Sequence, residues 1–528
     1  MHLNIDAVDI HITDTYFLQY PMESPHSIHN SKRLPPTRTW AGLSVLVITF
    51  IIFALPRAVN DPDFGWHLKT GQLYSETRHV PTHDVFSYTM EDYAWVNHEY
   101  AIDAFYYTLY RLGQETTILL SLFFLALGII TFLIVFPRTF PYALHADERL
   151  FAGLIALLIS RVFFGIRSQV FDWLGLLLVI LIWNRYKQTK SCRTLCWYIP
   201  LFFLWANIHG GFFIGLAVLG FLFCFDGIDQ LMSGTFSLWI KKEKYRLLSV
   251  SGIIMLAGIS TLFNPYGIYL HQDIIRTLTQ DSAMAKNIQE WQPSIVSAAI
   301  VLPFTIYIFS LIFLLMRQKY VFTFRDAMLV IIFLFFALSS WRFIPFFILI
   351  SLPFFAHAFA KQNFFLPMLL FIIFPGFLLS VRYGSVAPVQ TNTPLAAMSP
   401  SPASSDPRSR TFYSQVSTQA LAYLRAHPIQ GNMFNDYDWG GTIIWSFPEH
   451  KVFIDGRMPY WQLNGRDIFK DYLVIMNVNQ GWDAKINEYG IDWFIIKKSA
   501  PLAAVLETLP MAWEKQYDDG FAVIFVKK

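Results

Sequence analysis

The chain has 528 residues, of which 54% are hydrophobic, 17% aromatic and only 15% charged, and its mean hydropathy is +0.40. This composition excludes an ordinary soluble enzyme and predicts an integral membrane protein. The formal net charge of +3 is small for this length and the basic residues lie in short, separate clusters, so nucleic acid is not an expected partner.

The N-terminal part of the chain changes abruptly from polar to apolar. Residues 1–39 are polar and lack the short apolar core and cleavage site of a removable signal peptide, so we expect a cytoplasmic N-terminal segment. Apolar runs then predict about eleven transmembrane helices within residues 40–383. Around "WANIHGGFF" the pattern fits either one broken helix or two.

Lysine and arginine in the short loops orient these helices. A cytoplasmic N-terminus places most basic loop clusters on the cytoplasmic side, including Arg185 to Arg193 and Lys241 to Arg246. An odd number of spans then places the first long loop, residues 57–115, and the C-terminal part outside. This topology suits the cytoplasmic (inner) membrane of a bacterium.

The C-terminal part has a different composition. Residues 384–410 are rich in Pro and Ser without periodicity, which predicts a linker. From residue 411 to 528, helical patterns ("QALAYLRAH", "DIFKDYLVIM", "PLAAVLETL") alternate with strand-like runs ("KVFIDG", "DWFIIKK", "FAVIFVKK"). We therefore expect a small, soluble, extracytoplasmic α/β domain.

The first loop carries many titratable groups between two helical patterns. "GWHLKTGQLYSE" and "HEYAIDAFYYTLYRL" predict two helices that lie on the membrane surface, joined by "PTHDVFSY". Asp61 and Asp63 stand where the first span emerges. They can act as a general base, hold a divalent cation, or merely cap the helix that follows.

A resemblance favours a catalytic role for these acids. "DPDFGWHLKTGQ", "VPTHDVFSY" and "WVNHEYAIDAFYY" resemble the start of the type-C superfamily of membrane glycosyltransferases, which includes protein O-mannosyltransferases, lipid A aminoarabinose transferase and oligosaccharyltransferase. The similarity in motif covers roughly residues 60–107, whereas the layout is similar along the whole chain. It implies a multi-span bundle with a catalytic acid in the first loop and a soluble C-terminal domain.

The matching positions imply roles for individual residues. Asp63 corresponds to the catalytic base, with His67 one turn later contacting substrate. Phe64 replaces the adjacent second acid of related sequences, and Asp61 is its substitute. A cationic turn of related sequences is replaced here by Asn97, His98 and Glu99, of which His98 and Glu99 are the expected substrate contacts.

The implied reaction is an inverting transfer of a sugar from a polyprenyl-phosphate donor to an extracytoplasmic acceptor, which is a glycan, a lipid or a protein. Arg167 and Arg342, at external span ends, are expected to bind the donor phosphate, and snorkelling of their side chains toward the membrane interface is the competing explanation. No cofactor is required by the sequence, and a divalent cation stays an open alternative. Membrane lipids are the remaining expected partners.

Further polar residues have two interpretations each. Trp439, Asp455 and Arg457 can form an acceptor-binding patch, or they can pack on the sheet and pair in a turn. His209 is expected to support a turn between helices, with contact to substrate as the less favoured alternative. Glu290 is expected to be solvated surface or part of the same cavity.

Two other functions fit the layout. A non-catalytic membrane scaffold of the same fold would bind envelope glycans or lipids and would tolerate Asn at Asp61 and Asp63. A transporter predicts acids in mid-span and repeat symmetry. Mid-span acids are scarce in this sequence and no repeat is evident, so the transporter ranks last.

Overall fold

The computed structural model describes residues 61–114, 160, 163, 166–232, 236–279, 284–294, 298–317, 322–360 and 416–528. The predicted N-terminal segment, the first span and the Pro/Ser-rich linker lie outside the described residues.

Two helices lie in the first loop, as predicted. Helix α1 spans Phe64–Thr77 and ends where Arg78 adopts a left-handed conformation (φ 60°), and helix α2 spans residues 100–114. The expectation that α1 lies on the membrane surface is wrong for its first two turns. Phe64 and Leu68 are buried in the core of the helical bundle, whereas Trp66 is buried in the core of the C-terminal domain. Protein therefore covers α1 from two sides.

The helical bundle follows. Its described helices are α3 (Gln169–Thr189), α4 (Tyr198–Ile208), α5 (Phe212–Met232), α6 (Phe236–Ser260), α7 (Ile268–Thr279), α8 (Met284–Asn287), α9 (Ala298–Arg317), α10 (Phe324–Ser339) and α11 (Ile344–Ala360). Short 3₁₀ turns precede α4, follow α8 and precede α11. The "WANIHGGFF" segment forms two helices, because His209 is extended (φ −160°, ψ 150°) between them.

Two stretches of the described helices are long and apolar enough to cross a membrane, namely Phe212–Asp229 and Trp341–Ala358. The predicted count of eleven spans is therefore not confirmed. Helix α4 has 11 residues, too few to cross a bilayer alone, although its sequence is strongly apolar.

Small residues allow close helix packing in the bundle. The indole of Trp205 on α4 lies between Gly175 on α3 and Gly215 on α5, and a Cβ at Gly175 would lie 2.7 Å from that ring. Because side chains larger than hydrogen do not fit, the glycines hold the indole in one orientation.

The C-terminal domain is an α/β sandwich of one sheet and several helices. In chain order it contains α12 (Thr418–Ala426), β1 (Asn432–Asn435), α13 (Gly440–Ser446), β2 (Gln462–Leu463), β3 (Arg466–Asp467), α14 (Ile468–Met476), α15 (Trp482–Glu488), β4 (Ile491–Lys497), α16 (Pro501–Glu507), β5 (Trp513–Asp518) and β6 (Ala522–Lys527). The main sheet has the order β1-β4-β6-β5, with β1 parallel to β4 and the other pairs antiparallel.

The three helices predicted in this domain are confirmed as α12, α14 and α16, and two of the three predicted strands as β4 and β6. The strand expected at "KVFIDG" is wrong. Only Val452 of that run pairs, in an isolated bridge to Ser87 of the first loop. The run is apolar because it is buried between the loop and the domain, where it continues into a turn.

The first loop and the C-terminal domain share one core. Val452 donates its backbone N–H to Phe86 O (3.0 Å) and accepts from the N–H of Tyr88 (3.2 Å). The Thr89 hydroxyl donates to Phe453 O at 2.7 Å. Aromatic residues of the loop, including Trp95, are buried among side chains of the domain. The two segments therefore fold as a single unit above the bundle.

Glycines bring α1 and α13 into direct backbone contact. A Cβ at Gly65 would overlap the carbonyl group of Gly441, and a Cβ at Gly441 would overlap the carbonyl oxygen of Pro62. The contact places the start of α1, with Asp63, directly beneath the C-terminal domain.

Replacement of Gly441 should therefore loosen this crossing. Gly441→Ala pushes a methyl group against rigid backbone, so we expect a loss of about 1–3 kcal/mol of stability, as is usual for overpacking. Thermal unfolding of the protein in lipid nanodiscs measures this loss. Gly252→Ala on α6 is the control, because no heavy atom lies within 4 Å of the added Cβ. Equal melting temperatures for the two variants would contradict the tight crossing.

Candidate functional site

A cavity of about 1650 Å³ lies between the bundle and the C-terminal domain. Apolar side chains of α5 and α10, such as Phe221 and Phe333, line its lower part. Charged side chains of the first loop line its centre, and polar residues of the domain, such as Asp438 and Lys497, line the opposite end. The cavity is thus apolar on the side of the bundle and polar on the side of the domain, and Asp61 and Asp63 line it as well.

The two loop acids have different partners. Asp61 is buried, and its Oδ1 accepts the backbone N–H of Asp63 at 2.9 Å, while its Oδ2 accepts from the guanidinium of Arg167. Asp63 occupies the N-cap position of α1, yet its side chain makes no capping hydrogen bond. Helix capping therefore does not account for the Asp63 carboxylate, which faces the cavity.

The surroundings of Asp63 favour its neutral form. Burial raises the pKa of Asp63, and the nearby carboxylates of Asp61 and Asp455 raise it further. The cations Arg167 and His67 oppose this rise, and the resulting pKa is about 7. A carboxyl group with this pKa can accept and release a proton near neutral pH, as a general base must.

His67 lies one turn further along α1 and carries a charge. Its Nδ1 lies 2.5 Å from Oδ1 of the fully buried Asp103, and its Nε2 lies 3.7 Å from Oε2 of Glu99. The amide of Asn97 donates to the other oxygen of Asp103 at 2.8 Å. Burial alone would lower the pKa of His67, but Asp103 and Glu99 outweigh it and raise the pKa to about 9. His67 is therefore an imidazolium beside Asp63.

Glu99 is the centre of a histidine cluster. His67, His98 and His209 each place a ring nitrogen within 3.9 Å of its carboxylate, and the Ser168 hydroxyl donates to it. Burial alone would raise the pKa of Glu99, but these histidines and the hydrogen bond lower it to about 2. Glu99 is thus ionised at every physiological pH.

His98 is neutral at physiological pH. Burial lowers the pKa of its imidazole to about 4, although Glu99 partly opposes this effect. The expected phosphate contact by a protonated His98 therefore requires the phosphate itself to raise that pKa.

The two arginines expected to bind phosphate differ in their pairing. Arg167 is paired with Asp61 and, at 2.7 Å, with Glu290. Arg342 lies over the ring of Trp291, with its Cζ 4.8 Å from the centroid. It makes no ion pair within the described ranges, although its charge helps to lower the pKa of Glu290. Glu290, which the sequence allowed as surface, is thus the ion-pair partner of Arg167. Among the described arginines that line the cavity, Arg342 is the one without an ion pair, and its charge acts on Glu290 from a greater distance.

Three side chains of the cluster could hold a metal ion. His98, Glu99 and His209 place ligand atoms within 4.8 Å of one another, the one such group among the residues that the structure describes. Nδ1 of His209 lies 2.6 Å from Asp172, which also accepts the indole N–H of Trp205 at 2.7 Å. Two imidazoles and a carboxylate, with one imidazole oriented by a second carboxylate, fit a divalent transition metal.

No protein-family model and no curated protein sequence matches the chain. Among solved structures, ArnT from Cupriavidus metallidurans in the apo state is similar at 12% identity and a TM-score of 0.54, over 93% of this chain and 98% of that one. The apo oligosaccharyltransferase of Archaeoglobus fulgidus is similar at 11% identity and a TM-score of 0.52, over 87% and 69%. The chain has the type-C glycosyltransferase fold. At these identities the likeness shows the fold alone.

Within the type-C fold of this chain, the residues expected to bind an acceptor are mostly enclosed. Trp439 and Asp455 are completely buried and do not line the cavity, so neither can contact an acceptor in this conformation. Arg457 reaches the cavity wall but is paired with Asp84 at 2.8 Å and with Asp455 at 2.6 Å. Its guanidinium lies 4.4 Å from the ring centroid of Trp95.

The sequence interpretation missed several residues of the site. Asp103 and Asp84 lie in the first loop but were not distinguished there from ordinary surface acids. Asp172 interrupts an apolar run five residues after Arg167, and an isolated acid in such a run was the signal that could have identified it. The turn role predicted for His209 is confirmed, because its Nδ1 accepts the backbone N–H of Gly211 at 3.1 Å. Its approach to Glu99 is what the sequence did not indicate.

Removal of the Arg457 charge should unfold the junction between loop and domain. Arg457→Met leaves two buried carboxylates without their cation, so we expect a loss of about 3–5 kcal/mol. Lys451→Met is the matched control, since it removes an exposed pair with Glu91 across the same junction, worth about 0–1 kcal/mol. Protease sensitivity and thermal unfolding measure both losses. A stable Arg457→Met protein would contradict the structural role of this arginine.

Proposed function

We propose that this chain is an integral membrane glycosyltransferase that transfers a sugar from a polyprenyl-phosphate donor to an extracytoplasmic acceptor, with inversion and with Asp63 as general base. The observation that carries the proposal is the Asp63 carboxylate, which is free of capping bonds, faces the cavity of a type-C fold and has a pKa of about 7.

The donor side of the cavity supports a lipid-linked phosphate. Apolar residues of α5 and α10 offer a surface for a polyprenyl chain. Arg342 lines the same cavity and offers a guanidinium that makes no ion pair with an acid of the described ranges. Two proteins of similar fold carry such lipids in their structures. ArnT was solved with undecaprenyl phosphate, and AglB, the oligosaccharyltransferase of Archaeoglobus fulgidus, with dolichol-phosphate. Arg342 would thus bind the phosphate, while Arg167, balanced by Asp61 and Glu290, holds the cavity wall in place.

The chemistry needs one base and one stabilised leaving group. Asp63 accepts the proton of an acceptor hydroxyl or amine as the acceptor atom forms a bond to the anomeric carbon. The bond from that carbon to the phosphate oxygen breaks on the opposite face, and polyprenyl phosphate departs with the electron pair, which inverts the anomeric configuration. Arg342 stabilises the negative charge that develops on the phosphate.

Charged groups around Asp63 set its proton affinity. The imidazolium of His67 and the guanidinium of Arg167 favour the ionised base, whereas burial and Asp61 favour the protonated form. This balance leaves Asp63 basic enough to take a proton and acidic enough to lose it after each turnover.

A divalent cation would be held by His98, Glu99 and His209. When bound there, it would add positive charge that stabilises phosphate oxygens. The acceptor enters from the extracytoplasmic side and is a glycan, a lipid or a protein, and the cytoplasmic (inner) membrane of a bacterium is the proposed location.

Asp63→Asn should abolish transfer while the donor still binds. The amide cannot accept the acceptor proton, so we expect a fall in kcat of about 100-fold to 10,000-fold, the usual contribution of a general base. In the wild type the rate should rise with pH through about 7, because Asp63 must lose its proton before it can act. Purified protein in lipid with a panel of polyprenyl-phosphate sugars provides the assay.

Asp438→Asn is the control, because Asp438 lines the same cavity at its polar end. Equal transfer by wild type and Asp63→Asn would remove Asp63 from the chemical step. No transfer from any donor would instead favour the non-catalytic scaffold.

The metal site can be tested without catalysis. We expect the purified protein to bind one Co²⁺ with the absorption spectrum of a nitrogen and oxygen ligand set. His209→Ala should abolish this spectrum, and Asp172→Asn should weaken binding by about 10-fold to 100-fold because the imidazole loses its orienting partner. His427→Ala, on the exposed end of α12, is the control. An unchanged spectrum in His209→Ala would exclude this ligand set.

A further inference from the structure

The turn Asp455-Gly456-Arg457 of the C-terminal domain covers the Asp63 carboxylate. A Cβ built at Gly456 would overlap Oδ1 of Asp63 and would lie 2.6 Å from its Cγ and 2.9 Å from its Oδ2. All three nearest atoms belong to the Asp63 side chain, and none to backbone. The Asp63 carboxylate thus packs directly against the Cα of Gly456, where only a hydrogen fits.

The turn is held from several directions. The backbone N–H of Arg457 donates to Oδ1 of Asp455 at 3.0 Å, and the N–H of Met458 donates to the carbonyl of Asp455 at 3.1 Å. Gly440 packs on Asp455 so closely that a Cβ there would lie 2.6 Å from the Asp455 Cβ. These contacts leave the turn little freedom within the domain.

Arg457 ties the same turn to the first loop. Its guanidinium is paired with Asp84 of the loop at 2.8 Å, and its Cζ lies 4.9 Å from the ring centroid of Phe86 and 4.4 Å from that of Trp95. A buried cation enclosed by aromatic rings and two carboxylates is held far more firmly than an exposed one. The position of Gly456 relative to Asp63 is therefore fixed by the loop that carries Asp63 itself.

We propose that the Asp455-Gly456-Arg457 turn is a positioning element for the catalytic base, which confines the Asp63 carboxylate to the side of the cavity where the acceptor enters. The proposal rests on the proposed function. It assigns the C-terminal domain a part in assembling the active centre, in addition to any contact with the acceptor.

The turn restricts the Asp63 carboxylate and keeps water from one of its faces. With Gly456 against one face, the carboxylate cannot rotate toward the domain, and water cannot reach that face. The charged groups that face Asp63 are Asp61 and His67 from the first loop, Arg167 from the start of α3, and Asp455 from the turn. An alanine methyl group at position 456 would push the carboxylate away from Asp455 and toward the open cavity.

Gly456→Ala is the decisive variant, because the added methyl group meets a mobile side chain and the fold can be retained. We expect an unchanged melting temperature, an unchanged donor KM and a kcat lower by about 100-fold, as expected for a reacting group displaced by about 1 Å. The rise of rate with pH should move below pH 7, since a more exposed carboxyl group is more acidic. Gly220→Ala, with no heavy atom within 4 Å, is the control.

A thiol introduced at position 63 reports the same geometry without catalysis. In a chain whose cysteines at 192, 196 and 224 are replaced by serine, the Asp63→Cys protein should be alkylated slowly by iodoacetamide. Addition of Gly456→Ala should accelerate alkylation at pH 7 by about 10-fold. The displaced thiol is more exposed, and a pKa lower by about one unit gives about ten times more of the reactive thiolate when the thiol ionises above neutral pH.

The outcomes separate the two proposals. A folded Gly456→Ala protein with wild-type kcat and pH dependence, or with unchanged alkylation of the introduced thiol, would overturn the positioning role. A lower kcat accompanied by a lower melting temperature and an unmoved pH dependence would also overturn it, because the turn would then be merely structural. Absence of transfer by the wild type from every donor would overturn the proposed function alone, since alkylation of the introduced thiol needs no activity.

Discussion

The guanidinium of Arg457 is enclosed between Asp84 of the first loop and Asp455 of the C-terminal domain, and the arrangement of the candidate site depends on this ion pair. A buried cation must be compensated by carboxylates with good geometry, so neither segment can move without exposing an unpaired charge. The aromatic rings of Phe86 and Trp95 exclude water from the pair. The start of α1 is thereby clamped between the bundle below and the domain above.

Charge compensation also organises the centre of the cavity. Asp61, Glu99 and Glu290 each have a cation or histidine partner there, whereas the Asp63 carboxylate has neither a hydrogen bond nor an ion pair among the described residues. Within the same part of the chain, Arg342 is the corresponding exception among the arginines at the cavity. Neighbouring charges therefore act on Asp63 and Arg342 without forming an ion pair with either. The proposed transfer needs a base that can take a proton and a cation that can stabilise an anionic leaving group, and these two side chains are available for those roles.

Local sequence patterns predicted the elements of this fold better than they predicted its contacts. The helical periodicity of residues 64–77 and 100–114 was sufficient to place α1 and α2, and the short motif around Asp63 was sufficient to direct attention to that acid. Strand β5 was missed because its sequence, "WEKQYD", is polar and lies at the sheet edge, where no apolar alternation is required. The pairing of Asp84 with Arg457, 373 residues apart, depends on tertiary packing, for which a single sequence contains no signal.

The hydrogen bond from the Thr89 hydroxyl to the Phe453 carbonyl joins residues that are 364 positions apart in the chain. A growing chain emerges from the ribosome in order, so the first loop is complete long before the domain that covers it has been synthesised. Until the C-terminal domain is translated and folded, the loop acids are exposed to water and the cavity lacks its upper wall. The site is therefore assembled only after the C-terminal domain has been synthesised, and a growing chain that still lacks this domain cannot yet act on lipid.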